Sequence, residues 1–280
     1  MAQIFRCGRF ELDLDRPRVM GILNVTPDSF SDAARFLDRD AAVAHAHQLM
    51  DEGADILDIG GESTRPGATP VDARTELARV LPVVEALREF AIPLSVDTSK
   101  AEVMREVLDA GADMINDVYA LRQPGALAAV ARSNCGVCIM HMRGEPRTMQ
   151  AAPRYTNLVA EVRAFLDERV GVALGAGVEA ARIVTDPGFG FGKTKRQDFS
   201  LLRDLSRTRV RGLPLLAGVS RKSMIGYATG RPVQDRLAGS IAGVLAGVAR
   251  GARIVRVHDV AATVDALRVW RAVEDGAFDD

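Results

Sequence analysis

The chain has 280 residues, of which 48% are apolar, 26% charged and 5% aromatic, and its formal net charge is −1. These proportions are typical of a globular protein and exclude a disordered, collagen-like or low-complexity chain. Because there is no basic excess and no run of about 18 apolar residues, we expect neither nucleic acid nor a membrane as a partner. The 3 cysteines are too few for a disulfide framework, and the charged N-terminus does not resemble a signal peptide, so we expect a cytoplasmic location.

Short apolar runs alternate along the chain with Ala-rich, charged segments of helical period. The predicted strands are 19–24, 55–60, 93–97, 113–117, 137–141, 182–186, 214–220 and 253–258. The predicted helices are 40–52, 72–89, 100–110, 124–133, 157–176, 198–205, 235–250 and 261–274. Buried strands that alternate with helices indicate parallel βαβ units, and eight such pairs favour a closed (β/α)8 barrel over an open sheet.

The domain organisation follows from the same pattern. We find no Pro- or Ser-rich linker, so we expect residues 1–280 to form a single domain. Gly53, Gly111 and Gly251 each stand just before a predicted strand, where a left-handed glycine ends the preceding helix. Residues 1–18 alternate weakly in polarity around Gly8 and are predicted to form a hairpin that plugs the lower end of the barrel.

Nearly every predicted strand ends in a charged or amide side chain. These residues are Asn24, Glu62, Arg65, Asp97, Asn116, Asp117, His141, Asp186, Ser220, Arg221, Lys222, Arg256 and His258. In a (β/α)8 barrel the active site is built at the carboxyl ends of the strands, so these side chains are predicted to share one rim. Their mixed charges indicate a ligand with an anionic end and a donor-rich end. The neutral oxygen of Asn24 suits a hydrated Mg²⁺ held mainly by a diphosphate.

Two loops carry a resemblance to a known family. Residues 20–32 (MGILNVTPDSFSD) and 60–67 (GGESTRPG) closely resemble the two signature loops of the dihydropteroate synthase family. Further matching segments are 95–98 (SVDT), 115–118 (INDV), 186–193 (DPGFGFGK), 218–223 (GVSRKS) and 256–259 (RVHD). The resemblance covers about residues 19–272, with matches in order at every strand end.

The resemblance implies a (β/α)8 barrel enzyme of folate synthesis, usually a homodimer. Such a transferase joins 6-hydroxymethyl-7,8-dihydropterin diphosphate to p-aminobenzoate, forms 7,8-dihydropteroate and releases pyrophosphate. Its small-molecule site also takes sulfonamide drugs. The implied cofactor is Mg²⁺.

The resemblance also implies a role for individual positions. The pterin site would be lined by Asp97, Asn116, Met140, Asp186 and Lys222. The diphosphate would meet Asn24, Arg65, Arg256 and His258, with Asn24 also facing the Mg²⁺. The p-aminobenzoate site would be shaped by Thr64, Pro66, Phe191, Ser220 and Lys222.

The chemistry of the reaction agrees with these roles. The pterin N3–H and 2-amino group form a donor–donor edge that Asp186 would accept in a bidentate pair. When the C–O bond to diphosphate breaks, Asp97 would stabilise the pterin methylene cation, while Mg²⁺ and arginines stabilise the leaving anion. The catalytic residues are therefore predicted to be Asp97, Lys222 and Arg256, with no protein nucleophile.

One departure from the family leaves alternatives open. The family reads Ser-Asp-Gly-Gly where this chain has Ser31-Asp32-Ala33-Ala34, and the alanines restrict the backbone of that loop. One alternative is a non-catalytic paralogue that binds pterin diphosphate. Another is a pterin-dependent methyltransferase, although that enzyme needs no diphosphate clamp.

Two further positions have open interpretations. His141 is either a wall of the pocket or a satisfied rim residue. Lys193 follows Gly192 as in a P-loop, but Pro187 stands where that motif requires its first glycine, so the glycines of this segment are predicted to pack close to the substrates.

Overall fold

A closed barrel of parallel strands forms the centre of the molecule. The computed structural model describes residues 3–25, 35–63, 70–145, 148–151 and 153–276. Within these ranges, eight strands close in the order β10-β3-β4-β5-β6-β7-β8-β9. The strands are β1 Ile4–Cys7, β2 Phe10–Asp13, β3 Arg18–Asn24, β4 Ile56–Gly60, β5 Leu94–Asp97, β6 Met114–Asp117, β7 Gly136–Met140, β8 Ile183–Asp186, β9 Leu215–Ala217 and β10 Ala252–Val257. The predicted barrel is confirmed.

Helices follow the barrel strands and cover their outer faces. They are α1 Arg35–Asp51, α2 Ala73–Leu87, α3 Ala101–Asp109, α4 Ala126–Ala131, α5 Leu158–Gly175, α6 Lys195–Arg203, α7 Ser223–Thr229, α8 Leu237–Val248 and α9 Val260–Asp275. Gly53, Gly111 and Gly251 have φ values of 94°, 112° and 93° after α1, α3 and α8, as predicted for left-handed helix ends.

The N-terminal hairpin closes the lower end of the barrel. Strands β1 and β2 pair antiparallel, and Phe5, Cys7 and Leu14 are fully buried in one apolar cluster. The other buried members of this cluster belong to the barrel strands: Met20, Ile56, Met114, Cys138, Val184, Leu216 and Ile254. The plug leaves the opposite end of the barrel for the polar residues.

The structure contains one helix that the sequence analysis did not predict, and several element bounds differ; helix α1, for example, begins at Arg35 rather than at residue 40. Helix α7 was not predicted, because its short sequence around Gly226 lacks a helical apolar period. Helix α6 begins at Lys195 rather than at residue 198, since Thr194 and Gln197 form a capping box that starts it earlier. Strand β9 ends at Ala217, so Ser220 lies in the turn after it.

A helix that crosses a bilayer needs about 20 consecutive, mostly apolar residues. Among the residues that the structure describes, no helix is both long enough and apolar enough to cross a bilayer.

Candidate active site

The carboxyl ends of the barrel strands carry most of the predicted site residues. Those that the structure describes are Asn24, Asp97, Asn116, Met140, Asp186, Phe191, Ser220, Lys222, Arg256 and His258. The predicted residues Thr64, Arg65 and Pro66, like the segment from Ser31 to Ala34, lie outside the described residues. The strand register brings the others together, with Asp97 beside Asn116 and Asp186 beside Met140.

A buried ion-pair network lies at the centre of this end. Arg256 donates from Nε to Asp58 Oδ2 at 2.6 Å and from Nη2 to Asp97 Oδ2 at 3.0 Å. Asp58 also accepts from Asn116 Nδ2 at 3.1 Å and from Ser95 Oγ at 2.6 Å. Three predicted residues are thus joined through Asp58, which is fully buried and which the sequence reasoning missed.

The two predicted carboxylates are in environments that disfavour charge. Burial raises the pKa of Asp97 to about 7, while Arg256 opposes this shift and Asp58 adds to it. Burial also raises the pKa of Asp186, against the attraction of Lys222. A ligand that donates hydrogen bonds to these carboxylates would therefore satisfy groups that are costly to leave unpaired.

Lys222 faces the segment that follows β8. Its Nζ donates to the backbone oxygen of Phe189 and lies 4.8 Å from the centre of the Phe191 ring. Burial lowers the pKa of Lys222, and Asp186 opposes this shift. Lys222 lies close to Arg256 as well, since a Cβ at Gly218 would be 3.9 Å from Lys222 Nζ and 3.8 Å from Arg256 Cβ.

Ser220 and His258 are neighbours at the ends of β9 and β10. Ser220 Oγ lies 3.1 Å from His258 Nδ1, and the His258 backbone N–H donates to the same oxygen at 3.2 Å. Next to them, Arg221 pairs with Asp259. Because the Arg221 guanidinium binds the Asp259 carboxylate, Arg256 and His258 remain the predicted contacts of the anionic group.

Asn24 lies at the end of β3 beside Gly60. Its Oδ1 is 3.5 Å from the position that a Cβ at Gly60 would occupy, and Asp97 Cβ is 3.9 Å from the same point. Within the described part of the chain, no three His, Cys, Asp or Glu side chains form a metal-binding group. This donor set fits a magnesium ion that is bound mainly by substrate phosphates and touches one protein oxygen, which is the mode Mg²⁺ prefers.

Met140 belongs to an apolar cluster beside the network. The cluster contains Val118, Met142 and Met149, with Tyr119 and Phe191 packed against it. Thioether side chains of this kind adapt to flat ring systems. Met140 thus shares a cluster with Val118 and Tyr119, which line a cleft that reaches Asp97, and its role in binding pterin stays a prediction.

The segment after β8 rests on a buried lysine. Lys193 is 1% exposed, and its Nζ lies 2.9 Å from His141 Nδ1. Burial lowers the pKa of Lys193 to about 7, and burial with the nearby Lys193 charge lowers the pKa of His141 to about 2. His141 is therefore a neutral ring that accepts at Nδ1. Of the two interpretations of His141, the satisfied rim residue is the one these contacts favour.

A cleft of about 640 Å³ opens between the ends of β4, β5 and β6. Its lining includes Glu62, Asp97, Lys100, Tyr119 and Glu145. Lys100 forms ion pairs with both Glu62 and the fully buried Glu76. Glu62, which was predicted to lie at the rim, is therefore paired with a lysine of the same protein. The cleft reaches Asp97 and so opens onto the network described above.

Comparison with known proteins identifies the family. Residues 20–258 match the model of the pterin binding enzyme family. A Haemophilus influenzae dihydropteroate synthase is 52% identical over 262 residues, which cover 93% of this chain and 95% of that protein. The predicted resemblance is therefore confirmed.

Two solved structures agree with this chain in fold. The Burkholderia cenocepacia dihydropteroate synthase complexed with 7,8-dihydropteroate has a TM-score of 0.90 at 54% identity, covering 98% of each chain. The Yersinia pestis dihydropteroate synthase in a sulfonamide drug complex has a TM-score of 0.92 at 46% identity, covering 97% of this chain and 99% of that one. The chain belongs to the pterin binding enzyme family and, within it, to the dihydropteroate synthases, which are transferases.

Proposed function

We propose that this chain condenses 6-hydroxymethyl-7,8-dihydropterin diphosphate with p-aminobenzoate at the carboxyl end of its barrel. The observation that carries the proposal is the mixture of buried charges there. Asp58 and Asp97 bind Arg256, and Asp186 attracts Lys222. A substrate with a donor-rich ring and an anionic tail matches this arrangement.

The pterin ring is assigned to the deeper part of the site. Asp186 would accept the N3–H and 2-amino donors, while the Gly188 backbone N–H, which donates to Asp186 Oδ1 at 2.6 Å, fixes the carboxylate plane. Asn116, held by Asp58, would bond the ring edge, and Met140 would pack against its face. An analogue without the two donors would leave the Asp186 carboxylate buried and unpaired, which gives specificity.

The condensation exchanges a C–O bond for a C–N bond. The electrons of the C–O bond leave with the diphosphate, the amine nitrogen of p-aminobenzoate supplies the pair for the new bond, and one N–H proton of the amine is lost. The Asp97 carboxylate would stabilise positive charge on the methylene carbon, and Arg256 would stabilise the departing oxygen. Lys222 would hold the pterin on the side facing Phe191.

The diphosphate is assigned to a cationic rim. Arg256 and His258 come from β10 and the residue after it, and Arg65 is the third proposed contact. Asn24 would contact a Mg²⁺ ion bound by the diphosphate oxygens. When bound, that ion supplies additional positive charge to the leaving group.

The p-aminobenzoate is assigned to the outer part of the site. Phe191, Ser220 and Lys222 would shape this region together with Thr64 and Pro66. Phe191 offers an aromatic face and lies under the Lys222 ammonium. Because the Yersinia relative forms a complex with a sulfonamide drug, we also propose that sulfonamides compete with p-aminobenzoate here.

Pyrophosphate release tests the assignment. Purified protein is supplied with the pterin diphosphate and Mg²⁺, with and without p-aminobenzoate. We expect release that depends on p-aminobenzoate and falls by about 10²–10³ in Asp97→Ala and Lys222→Ala, with Lys195→Ala on exposed helix surface as the control. Tight binding of the pterin diphosphate without release would instead support the non-catalytic paralogue.

Magnesium dependence tests Asn24 separately. In Asn24→Ala we expect the Mg²⁺ concentration that gives half-maximal release to rise severalfold, because one of the few protein oxygens near the ion is removed. An unchanged Mg²⁺ requirement would contradict the role of Asn24.

A homodimer is also proposed. The last helix exposes Val269 and Val273, which are 66% and 76% exposed, beside a groove that Trp270 and Leu245 line. A second copy of the chain would cover this apolar strip, as the family resemblance implies. Sedimentation should give a dimer for the wild type and a monomer for Val273→Glu, with Val172→Glu on helix α5 as the matched control.

The domain organisation and location remain predictions. The main apolar cluster includes residues from Val19 to Leu267, which favours one domain and predicts a single cooperative unfolding transition. The cysteines Cys7, Cys135 and Cys138 are free and buried, as expected of a protein in a reducing compartment. Cell fractionation tests the cytoplasmic location.

A further inference from the structure

Lys193 is a buried cation that the proposed chemistry does not use. Its Nζ donates to the Gly188 oxygen at 2.8 Å and to the Phe191 oxygen at 3.1 Å, and it lies 2.9 Å from His141 Nδ1. The backbone oxygen of His141, at 3.5 Å, is a fourth acceptor. In its charged form the ammonium group has three N–H donors, so every donor has an acceptor within reach. A lysine this deeply buried is found in proteins where its charge is paired or fully hydrogen-bonded.

The acceptors belong to two segments that touch backbone to backbone. Gly188 and Gly192 have φ values of 72° and 67°, and a Cβ on either would lie 2.0 Å from the His141 oxygen or 2.2 Å from the Arg143 oxygen. The segment after β8 therefore lies directly against the residues that follow β7. The Lys193 ammonium is hydrogen-bonded to both segments, to His141 in the first and to Gly188 and Phe191 in the second.

Other side chains are also hydrogen-bonded to the backbone of the segment after β8. Asp198 accepts from the Gly190 N–H at 2.8 Å, and the Tyr155 hydroxyl donates to the Gly192 oxygen at 2.9 Å. The His141 ring is itself fixed by an edge-on contact with Phe165, at 5.0 Å between ring centres. The segment thus has a defined shape before any ligand arrives.

This shape sets the surroundings of Lys222. Phe189 directly follows Gly188, the first backbone acceptor of Lys193, and Phe191 is the second acceptor. Both phenylalanines contact Lys222. Without the Lys193 donors, the peptide groups of Gly188 and Phe191 would be free to rotate. Such a rotation would move the Phe189 oxygen and the Phe191 ring away from the Lys222 ammonium.

We propose that Lys193 is a positioning residue, which holds Phe189 and Phe191 in place for Lys222 and uses His141 as its fixed acceptor. The substrate-binding part of this inference rests on the proposed function. Its effect is expected mainly on p-aminobenzoate, because Phe191 is assigned to that substrate alone. A smaller effect is expected on the pterin diphosphate, since Lys222 is assigned to both substrates, whereas Asn116 and Asp58 lie on strands β6 and β4, which do not pair with β8.

The test is Lys193→Met, which keeps the length of the side chain and removes its donors. The control is Lys195→Met, two residues later and exposed on the first turn of helix α6. Both are assayed for pyrophosphate release with each substrate varied, at a temperature where urea titration shows that the enzyme is folded. We expect the KM for p-aminobenzoate to rise about tenfold or more in Lys193→Met, with a smaller change for the pterin diphosphate and none in the control.

Each outcome separates the inference from the function. A folded Lys193→Met enzyme with lower stability but wild-type KM values would show that Lys193 is structural only and would overturn the inference. Absence of p-aminobenzoate-dependent release in the wild type and in Lys195→Met would overturn the proposed function instead.

A second pair of variants covers the case in which Lys193→Met does not fold. His141→Leu removes one acceptor of the ammonium, and His141→Gln keeps an acceptor oxygen. We expect His141→Leu to raise the KM for p-aminobenzoate and His141→Gln to restore it at least in part. Equal KM values in both variants and the wild type would contradict the positioning role.

Discussion

The Asp58 carboxylate offers the sharpest test of how the site is organised. It is fully buried and accepts hydrogen bonds from Arg256, Asn116 and Ser95. Asp58→Asn keeps the shape of the side chain and removes its charge. Arg256 then keeps one carboxylate partner, Asp97, and its bond to residue 58 has one charged partner instead of two.

The magnitude follows from the type of bond that is lost. A hydrogen bond to a charged group contributes about 1.5–3 kcal/mol, so the unfolding free energy should fall by about that amount. Since Arg256 and Asn116 are both assigned to substrate, their displacement should also lower kcat/KM for the pterin diphosphate by about ten- to a hundredfold, at roughly 1.4 kcal/mol per factor of ten.

The assay compares Asp58→Asn with Asp113→Asn. Asp113 is a second buried carboxylate that accepts from a guanidinium, Arg9, but it lies at the lower end of the barrel. Urea unfolding should give similar losses for the two variants, while only Asp58→Asn loses activity. If folded Asp58→Asn kept the wild-type kcat/KM, Asp58 would be a stabilising residue alone and the assigned roles of its partners would lose their support.

Three further perturbations have expected outcomes. Gly188→Ala should lower the unfolding free energy by about 2–5 kcal/mol, because the left-handed backbone is strained by a Cβ and that Cβ overlaps the His141 oxygen. Gly177→Ala should lower it by only about 1–2 kcal/mol, since a Cβ there meets nothing within 4 Å. Equal losses in urea unfolding would refute the overlap at Gly188. Phe5→Ala should lower the unfolding free energy by about 3–5 kcal/mol without changing kcat, because it opens the plug at the far end of the barrel; a fall in kcat of the folded variant would argue against that separation. Burial lowers the pKa of Lys193 to about 7, so between pH 7 and pH 10 the unfolded chain binds more protons at this lysine than the folded protein does. The unfolding free energy should therefore rise with pH in this range, and this contribution should be absent in Lys193→Met.

The overall fold was predictable because its signal is repeated. Each barrel strand is a short apolar run buried on both faces, and a glycine with positive φ marks the end of several helices. Helix α7 lacked such a signal, since its seven residues are specified by contacts that the chain makes with distant residues. Arg236, for example, packs on Gly226 and donates to the backbone oxygens of Arg221 and Lys222.

The candidate site was predictable where residues stand at strand ends, and Asp97, Asn116 and Asp186 were found in this way. The role of Lys193 was not, because its acceptors are backbone oxygens, which every sequence contains. Only the close packing of the segment after β8 on the residues after β7 brings those oxygens to one point. The glycine spacing indicated close packing but not its partner.

Asp58 is the informative miss, because a sequence signal for it exists. Inward-facing residues of a barrel strand recur at every second position. Ile56, Met114 and Ile254 form the apolar layer against the plug. The next inward residues are Asp58, Asn116 and Arg256, and both Asn116 and Arg256 donate to Asp58. The same step leads from Val184 to Asp186 and from Cys138 to Met140. This second, mainly polar layer therefore lies two residues beyond the apolar one on each of these strands. Counting from the plug identifies Asp58, which a reading of the last residue of each strand misses because β4 continues to Gly60.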